Sequence, residues 1–286
     1  MIIYFIFFFL ISCLDLSLEK LNALESSVEN TASFFEEDDF EIETPSFNQK
    51  FNHTSGEVIK VISIMGERCS GTNYFRALLK ENFPSCQMSD EPHKHFHPWI
   101  ELIDFNIRKK TQETVDLSFI EEGSNRLFIL IVRNPYDWIR SFYKTPHHVS
   151  DKMIGKGFLH FMSEEWNVRK YEKVDGWNPY KERPFKNVFE MRKYKILNFL
   201  QMGMLADHFL VVQYENVRDF PEMFIYFVSN YFNLENARLF KPIRSYKGDS
   251  KKVFIPKEYR DFREDELDFI NQSIDWKTES LIDYLK

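Results

Sequence analysis

The chain has few glycines, few cysteines and no apolar run long enough to cross a membrane as a helix. Nine glycines against thirty phenylalanines indicate densely packed elements with few flexible linkers. Three cysteines, only two of which lie beyond residue 13, exclude a fold stabilised by a framework of disulfides. The 286 residues are 43% apolar and 17% aromatic, which is enough to bury one substantial core.

Charge is absent from the first thirteen residues, of which residues 1–12 form an apolar stretch. This stretch is shorter than the ~20 residues that a spanning helix needs, and it is typical of the apolar region of a secretory signal. A short uncleaved anchor and a lipoprotein cleavage site at Leu10–Cys13 are alternatives. We expect residues 1–13 to be a signal peptide or a short apolar anchor. The protein would then lie in a Golgi-like secretory lumen, with or without an N-terminal membrane tether, or be secreted.

Basic residues are scarce between Leu14 and Glu57, where two stand against eleven acidic residues and give a net charge of −9. The chain as a whole carries −7, so residues 58–286 carry +2. High charge without apolar periodicity predicts that residues 14–57 are an acidic, disordered stalk. N-glycosylation sequons begin at Asn52 and Asn271, and together with the apolar start they indicate a luminal glycoprotein.

Strand-like and helix-like segments alternate within residues 58–286. Apolar or β-branched runs predict strands at 58–65, 127–132 and 209–213. Helical spacing and start signals predict helices over 72–83, from Pro135, over 185–202, from Asp219 with Pro221, and over 264–285. The pattern predicts an α/β fold with a central parallel sheet, helices on both faces, and ligands bound beyond the carboxyl ends of the strands.

The loop after the first predicted strand, GERCSGTN, lacks the lysine of a nucleotide-binding loop. A Walker A loop has the pattern G-x-x-x-x-G-K-[ST], and here Gly66 and Gly71 match while Thr72 and Asn73 replace the lysine and the Mg²⁺-binding hydroxyl. Backbone N–H groups, a helix N-terminus and hydroxyls such as that of Ser70 remain as donors to an anion. Because concentrated positive charge is missing, the loop suits a phosphosulfate better than a triphosphate.

A second polar loop, RNPYDWIRS, follows the strand predicted at 127–132. Arg133 ends this strand, and Asn134 and Pro135 are typical of a helix start. Ser141 lies eight residues beyond Arg133, which is about two helical turns. Arg133 and Ser141 can therefore face one anion at the edge of the sheet.

The two loops together resemble the motifs of the sulfotransferase family, with CSGTN at 69–73 and RNPYDWIRS at 133–141. In that family the first loop binds the 5′-phosphosulfate of 3′-phosphoadenosine 5′-phosphosulfate (PAPS), and the second binds its 3′-phosphate. QYENV at 213–217 is similar to the family's strand end near the adenine, and YKGDSKKVF at 246–254 is similar to a loop that closes over the 3′-phosphate. The resemblance implies a P-loop-NTPase-like sulfotransferase domain over 58–286.

The resemblance also implies which residues hold the donor. Its main departure is Cys69, where cytosolic members usually carry a lysine that touches the transferred group, so that this role passes to Arg68 or Lys94. The implied donor-binding residues are Arg68, Cys69, Ser70, Gly71, Thr72, Asn73, Arg133, Ser141, Tyr214, Lys247 and Gly248.

Histidines cluster in EPHKHFHPW, residues 91–99, between the two loops. The family often carries its catalytic base in such a context, so the resemblance implies His95 as the base, His97 as the alternative and Lys94 as the electrostatic partner. On a strand, His93, His95 and His97 would share one face, so a metal site is a rival interpretation. Ordinary surface histidines are a further one.

The sequence thus predicts a PAPS-dependent sulfotransferase that needs no metal and passes a sulfuryl group to an acceptor hydroxyl, with a carbohydrate favoured. A base removes the acceptor proton, and an in-line displacement leaves adenosine 3′,5′-bisphosphate. No nucleic-acid partner is expected. Three other classes stay open: a P-loop nucleotide kinase or NTPase, a metal-dependent hydrolase that uses the histidines at 93, 95 and 97, and a non-catalytic binding protein with a sulfotransferase fold.

Overall fold

Four parallel strands lie side by side at the centre of the protein in the order β2-β1-β3-β4. In this computed structural model the strands are β1 (Val61–Met65), β2 (Gln87–Ser89), β3 (Arg126–Val132) and β4 (His208–Gln213). Residues 127–131 of β3 are at most 1% exposed. Both faces of β3 are covered, which explains why its sequence is apolar throughout instead of alternating.

The structure describes residues 58–90, 94–95, 125–169, 175–178, 180–246, 249–253 and 258–286. These residues belong to one compact unit that spans residues 49–286. The signal or anchor predicted at 1–13 and the stalk predicted at 14–57 lie outside the described residues. Within the described ranges, no helix is both long and apolar enough to cross a bilayer.

Helices flank the sheet in two groups. In the described residues the helices are α1 (Thr72–Asn82), α2 (Pro135–Lys144), α3 (Phe158–Ser163), α4 (Val188–Leu205), α5 (Tyr214–Asp219), α6 (Pro221–Tyr231), α7 (Glu264–Ser273) and α8 (Trp276–Ser280). One group contains α1, which packs on β1 and β2, and α6, which packs against α1. The other contains α4, which packs on β4 and against α3 and α8. The predicted α/β class with a central parallel sheet is therefore confirmed.

The strand order reverses between β1 and β3. From β1 the chain passes through α1 to β2 on one side of the sheet, whereas from β3 it passes to β4 on the other side. Right-handed connections in opposite directions place their helices on opposite faces. The loops that follow β1 and β3 therefore lie at the switch point of the sheet, which is where ligands bind in open α/β sheets.

Local signals in the sequence account for several helix boundaries. The Asn134 side chain accepts hydrogen bonds from the Tyr136 and Asp137 amides, and Pro135 is the first residue of α2, as predicted. The single helix predicted over 264–285 is wrong, because the chain forms α7 and α8 with a break between them. The break arises where Asp275 accepts a hydrogen bond from the Thr278 amide and caps a new helix.

Strand β2 lies at one edge of the described sheet and is only three residues long. The Arg76 guanidinium, on α1, donates hydrogen bonds to the carbonyls of Ser89 (2.9 Å) and Met88 (3.1 Å). Arg76 also pairs with Asp90 at 3.0 Å. The backbone at this edge is therefore partly satisfied by a side chain of the same protein.

Candidate functional site

The loop after β1 needs both of its glycines because other groups approach them closely. A Cβ atom on Gly66 would lie 2.5 Å from the carbonyl oxygen of Ile131 on β3. Gly71 has a φ of 91° and a Cβ there would lie 2.3 Å from the ring of Tyr214. The spacing that resembles a phosphate-binding loop thus corresponds to a loop pressed against β3 and against the segment that follows β4.

Between the glycines, Cys69 and Ser70 have unusual environments. Cys69 adopts a left-handed backbone with φ 65°, which costs about 1–3 kcal/mol for a residue with a side chain. Ser70 is 1% exposed, and its hydroxyl has no hydrogen-bond partner among the described residues. The following helix α1 has Gly71 as its N-cap residue and therefore has no side-chain cap. The first N–H groups of α1 and the Ser70 hydroxyl are therefore donors suited to an anion.

Arg133 brings the second loop against the first. Its Nη1 donates a hydrogen bond to the Cys69 carbonyl at 3.0 Å, and its guanidinium lies over the Tyr214 ring, 4.9 Å from the centroid. Within the described part of the chain, no carboxylate lies within ion-pairing distance of Arg133, and its Nε is buried without a hydrogen-bond partner. A half-buried guanidinium in this condition is a candidate ligand for an anionic group.

Ser141 lies on the face of α2 that contacts the 66–73 loop. On that face the Trp138 indole donates to the Arg68 carbonyl at 2.8 Å, and the Thr145 carbonyl accepts from the Cys69 thiol at 3.7 Å. Ser141 falls between Trp138 and Thr145 at helical spacing and is 6% exposed. The structure therefore places both predicted residues of the second motif beside the first loop.

Tyr214 joins the third predicted segment to the site. It is the first residue of α5, directly after β4, and it is 8% exposed. Its ring contacts Gly71 on one side and the Arg133 guanidinium on another, and burial raises the pKa of its hydroxyl. Three segments that are far apart in the chain thus meet at the carboxyl edge of the sheet.

Arg68 lies beneath the loop and not on its open side. The guanidinium is buried, pairs with Asp175, and stacks on the rings of Phe142 (5.0 Å) and Trp166 (5.2 Å). The sequence predicts Arg68 or Lys94 as the residue that replaces the missing lysine. In the structure the Arg68 guanidinium lies in the core and supports the loop from there.

A compensated group of buried charges extends this support. The Lys195 ammonium, on α4, donates to Glu67, to Asp175 at 2.7 Å, and to the backbone carbonyl of His95. Burial acts to raise the pKa of Asp175, but Arg68 and Lys195 outweigh it and hold that pKa below its ordinary value. Two cations and two carboxylates therefore neutralise each other under the loop, and the Asp175 carboxylate stays ionised.

His95 and Lys94 lie against the same loop. The Gly66 amide donates to the Lys94 carbonyl at 2.8 Å, and His95 Nδ1 lies 2.8 Å from the Gly66 carbonyl. The pKa of His95 is lowered to about 2, mainly by burial and also by the charges of Lys195, Lys94 and Arg68. The hydrogen bond to Gly66 acts in the opposite direction but is outweighed. The neutral imidazole donates its Nδ1–H to Gly66, so the lone pair is on Nε2. The Lys94 ammonium donates to the Asn73 side chain.

Sequence reasoning missed the part that α4 plays. Arg192 and Lys195, about one turn apart, hold different loops: Arg192 donates to the Arg133 carbonyl at 2.8 Å, whereas Lys195 holds Glu67. The available signal is a polar residue at every third position from 192 to 201, among residues that are mostly apolar. These polar residues are Arg192, Lys195, Asn198 and Gln201, each 4% exposed or less.

Four predicted residues, His93, His97, Lys247 and Gly248, lie outside the described residues. Lys247 and Gly248 fall between strands β5 (Ser245–Tyr246) and β6 (Asp249–Val253), which pair antiparallel. The described ranges contain no group of three or more His, Cys, Asp or Glu side chains that could hold a metal ion. Neither a scan of the chain against models of known protein families nor a search among curated proteins gives a match.

Proposed function

We propose that the protein is a sulfotransferase that moves a sulfuryl group from PAPS to an acceptor hydroxyl, with a carbohydrate as the favoured acceptor. One observation carries the proposal. The Arg133 guanidinium has no carboxylate partner among the described residues, and it lies between the Cys69 carbonyl and the Tyr214 ring at the point where the strand order reverses. A cation held at this switch point suits an anionic nucleotide.

The described residues fit the donor in two places. The Ser70 hydroxyl and the start of α1 would hold the 5′-phosphosulfate, together with Thr72 and Asn73. Arg133 and Ser141 would hold the 3′-phosphate, with Tyr214 toward the adenine. The resemblance adds Lys247 and Gly248 to the 3′-phosphate side. Lys94 rather than Arg68 would supply positive charge to the transferred group.

His95 is proposed as the base. Its Nδ1–H is used by the Gly66 carbonyl, so Nε2 takes the proton of the acceptor hydroxyl. The acceptor oxygen forms a bond to sulfur as the bond between sulfur and the bridging phosphate oxygen breaks, and adenosine 3′,5′-bisphosphate leaves. Bound donor charge offsets the cations that lower the pKa of His95, so donor binding raises that pKa and makes His95 a better base.

The proposal is tested by titrating the protein with adenosine 3′,5′-bisphosphate and with adenosine 5′-monophosphate in a calorimeter. The 3′-phosphate contact should make wild type prefer the bisphosphate, and Arg133→Ala should weaken bisphosphate binding by about 2–5 kcal/mol, or roughly 30- to 4,000-fold. Monophosphate binding should change little. Arg126→Ala is the matched control, because Arg126 begins the same strand that Arg133 follows and lies at the opposite edge of the sheet.

Equal affinities of wild type for the two nucleotides would contradict the proposal. Tight binding of ATP that requires Mg²⁺ would favour a kinase or NTPase instead. If the bisphosphate binds as expected, incubation with radiolabelled PAPS and a panel of carbohydrate acceptors separates an enzyme from a non-catalytic binding protein. Transfer of label to none of them, in a protein that binds the bisphosphate, would favour the binding protein.

A further inference from the structure

The peptide bond between Arg133 and Asn134 is held at both of its polar atoms by charged side chains. Its carbonyl oxygen accepts a hydrogen bond from Arg192 Nη2 at 2.8 Å. Its N–H, on Asn134, donates to Glu215 Oε1 at 3.0 Å. Hydrogen bonds with a charged partner are about twice as strong as neutral ones, so this peptide plane has a well-defined orientation.

The Arg192 and Glu215 side chains are each held in turn by residues of the segment 279–284. Glu279 on α8 pairs with Arg192, with Nη2 to Oε2 at 2.8 Å and both side chains 3% exposed. The Tyr284 hydroxyl donates to the second oxygen of Glu215 at 2.7 Å. Nearby, Gln213 Nε2 donates to the carbonyls of Ile282 (3.3 Å) and Asp283 (3.2 Å). The carboxyl-terminal segment 279–284 therefore supports the turn that carries Arg133.

Holding this peptide restrains ψ of Arg133 and φ of Asn134, and so fixes the turn from which the Arg133 side chain extends. The same peptide precedes α2, whose first amides are capped by the Asn134 side chain. Apart from the backbone contact of Arg192, the described contacts of Arg133 are with the Cys69 carbonyl and the Tyr214 ring. A shift of this turn would displace the Arg133 Cα, move the guanidinium relative to both contacts and change the position at which an anion meets it.

We propose that Glu279 and Tyr284 are positioning residues that set the affinity of Arg133 for a 3′-phosphate without touching the ligand. This inference rests on the proposed function. Tyr284 is buried, and burial together with the Glu215 charge raises the pKa of its hydroxyl, so the hydroxyl stays protonated as the donor. Tyr284 acts through Glu215 on the Asn134 amide, and Glu279 acts through Arg192 on the Arg133 carbonyl.

The test uses the full chain and the Tyr284→Phe variant, which removes one oxygen and keeps the ring. We expect faster hydrogen exchange of the Asn134 amide by NMR and a loss of roughly 3- to 10-fold in affinity for adenosine 3′,5′-bisphosphate, a fraction of a charged hydrogen bond. Affinity for adenosine 5′-monophosphate should not change. Tyr136→Phe is the matched control, because it removes a tyrosine hydrogen bond to Asn271 that does not involve Glu215.

Glu279→Gln provides an independent variant with the same expected changes, and Tyr284→Phe alone decides the matter if Glu279→Gln does not fold. The inference would be overturned if, in Tyr284→Phe, the Asn134 amide exchanges at the wild-type rate and the bisphosphate binds with wild-type affinity. Equal changes in Tyr136→Phe, which would indicate a general loss of stability, would also overturn it. If wild type binds both nucleotides equally, the proposed function fails, and amide exchange still decides whether Tyr284 holds this peptide.

Discussion

At the scale of single residues, His95 is an imidazole that the fold keeps uncharged. Burial lowers its pKa to about 2, and the surrounding cations Lys195, Lys94 and Arg68 act in the same direction. In the unfolded chain a histidine titrates near pH 6.5. As the pH falls below that value, the unfolded state takes up a proton that the folded state refuses until about pH 2, so His95 destabilises the fold increasingly in acid.

The direction of this pH dependence gives a measurable prediction. Below pH 6.5 the free energy of unfolding should fall by about 1.4 kcal/mol per pH unit on account of His95, or about 2 kcal/mol at pH 5. His95→Asn keeps a donor for the Gly66 carbonyl but cannot titrate, so urea unfolding between pH 7.5 and pH 5 should show a flatter dependence. His160→Asn, on α3, is the matched control for the loss of a histidine. Identical slopes in all three proteins would contradict the assignment.

At the scale of elements, α4 connects the two loops of the site through one buried face. Lys195 holds Glu67 and Asp175, whose side chains are 3% and 0% exposed. Removing the cation leaves two buried carboxylates with Arg68 alone, and breaking a buried pair in this way typically costs about 3–5 kcal/mol. We therefore expect Lys195→Met to lower the free energy of unfolding by that amount.

Lys193 supplies the control within the same helix. It pairs with Asp275 at 2.7 Å, but its side chain is 24% exposed, and partly exposed pairs contribute about 0–1 kcal/mol. Lys193→Met removes the same charge and should therefore cost far less in guanidinium unfolding than Lys195→Met. A similar loss in the two variants would show that the buried network does not stabilise the loop.

The elements that could be predicted from the sequence are those whose signals are local. The apolar run of β3 and the Asn134–Pro135 start of α2 need no distant partner to be recognised. The break between α7 and α8 is also local, but Asp275 was indistinguishable from any other acidic residue in a helical pattern. Strand β2 escaped prediction because three half-exposed residues carry no periodicity.

For the site, the meeting of three segments follows from topology, because parallel strands bring their carboxyl ends to one edge. The position of the Arg68 side chain in the core does not follow from topology. Its partner Asp175 is 107 residues away, and Lys195 is 128 residues from Glu67. No spacing rule connects such positions, so a buried arginine and a ligand-binding arginine have the same appearance in this loop.

At the scale of the whole molecule, two cysteines of the described residues, neither of them in a disulfide, mark the two ends of the sheet. Cys69 follows β1 at the carboxyl ends of the strands. Cys86 precedes β2 at their amino ends, where its thiol lies 3.8 Å from the Ile59 carbonyl. Both residues are partly buried, so each is available to a small alkylating reagent and each reports on one edge.

Alkylation rates therefore locate the nucleotide without any substitution. If the bound bisphosphate covers the 66–73 loop, a ligand concentration ten times Kd should slow the reaction of Cys69 roughly tenfold, because only the free protein reacts. Cys86 should react at its original rate. Peptide mass spectrometry after timed quenching measures both thiols in one sample. Equal protection of the two thiols, or protection of Cys86 alone, would place the nucleotide elsewhere.

The short edge strand β2 bears on aggregation. Successive carbonyls of a strand point alternately to its two sides, so one of the two carbonyls bound by Arg76 faces away from β1. An exposed sheet edge is where a strand from another molecule would add and begin a fibrillar stack. Within the described residues, Arg76 occupies a backbone acceptor on that side of β2, and this leaves such a strand less to pair with.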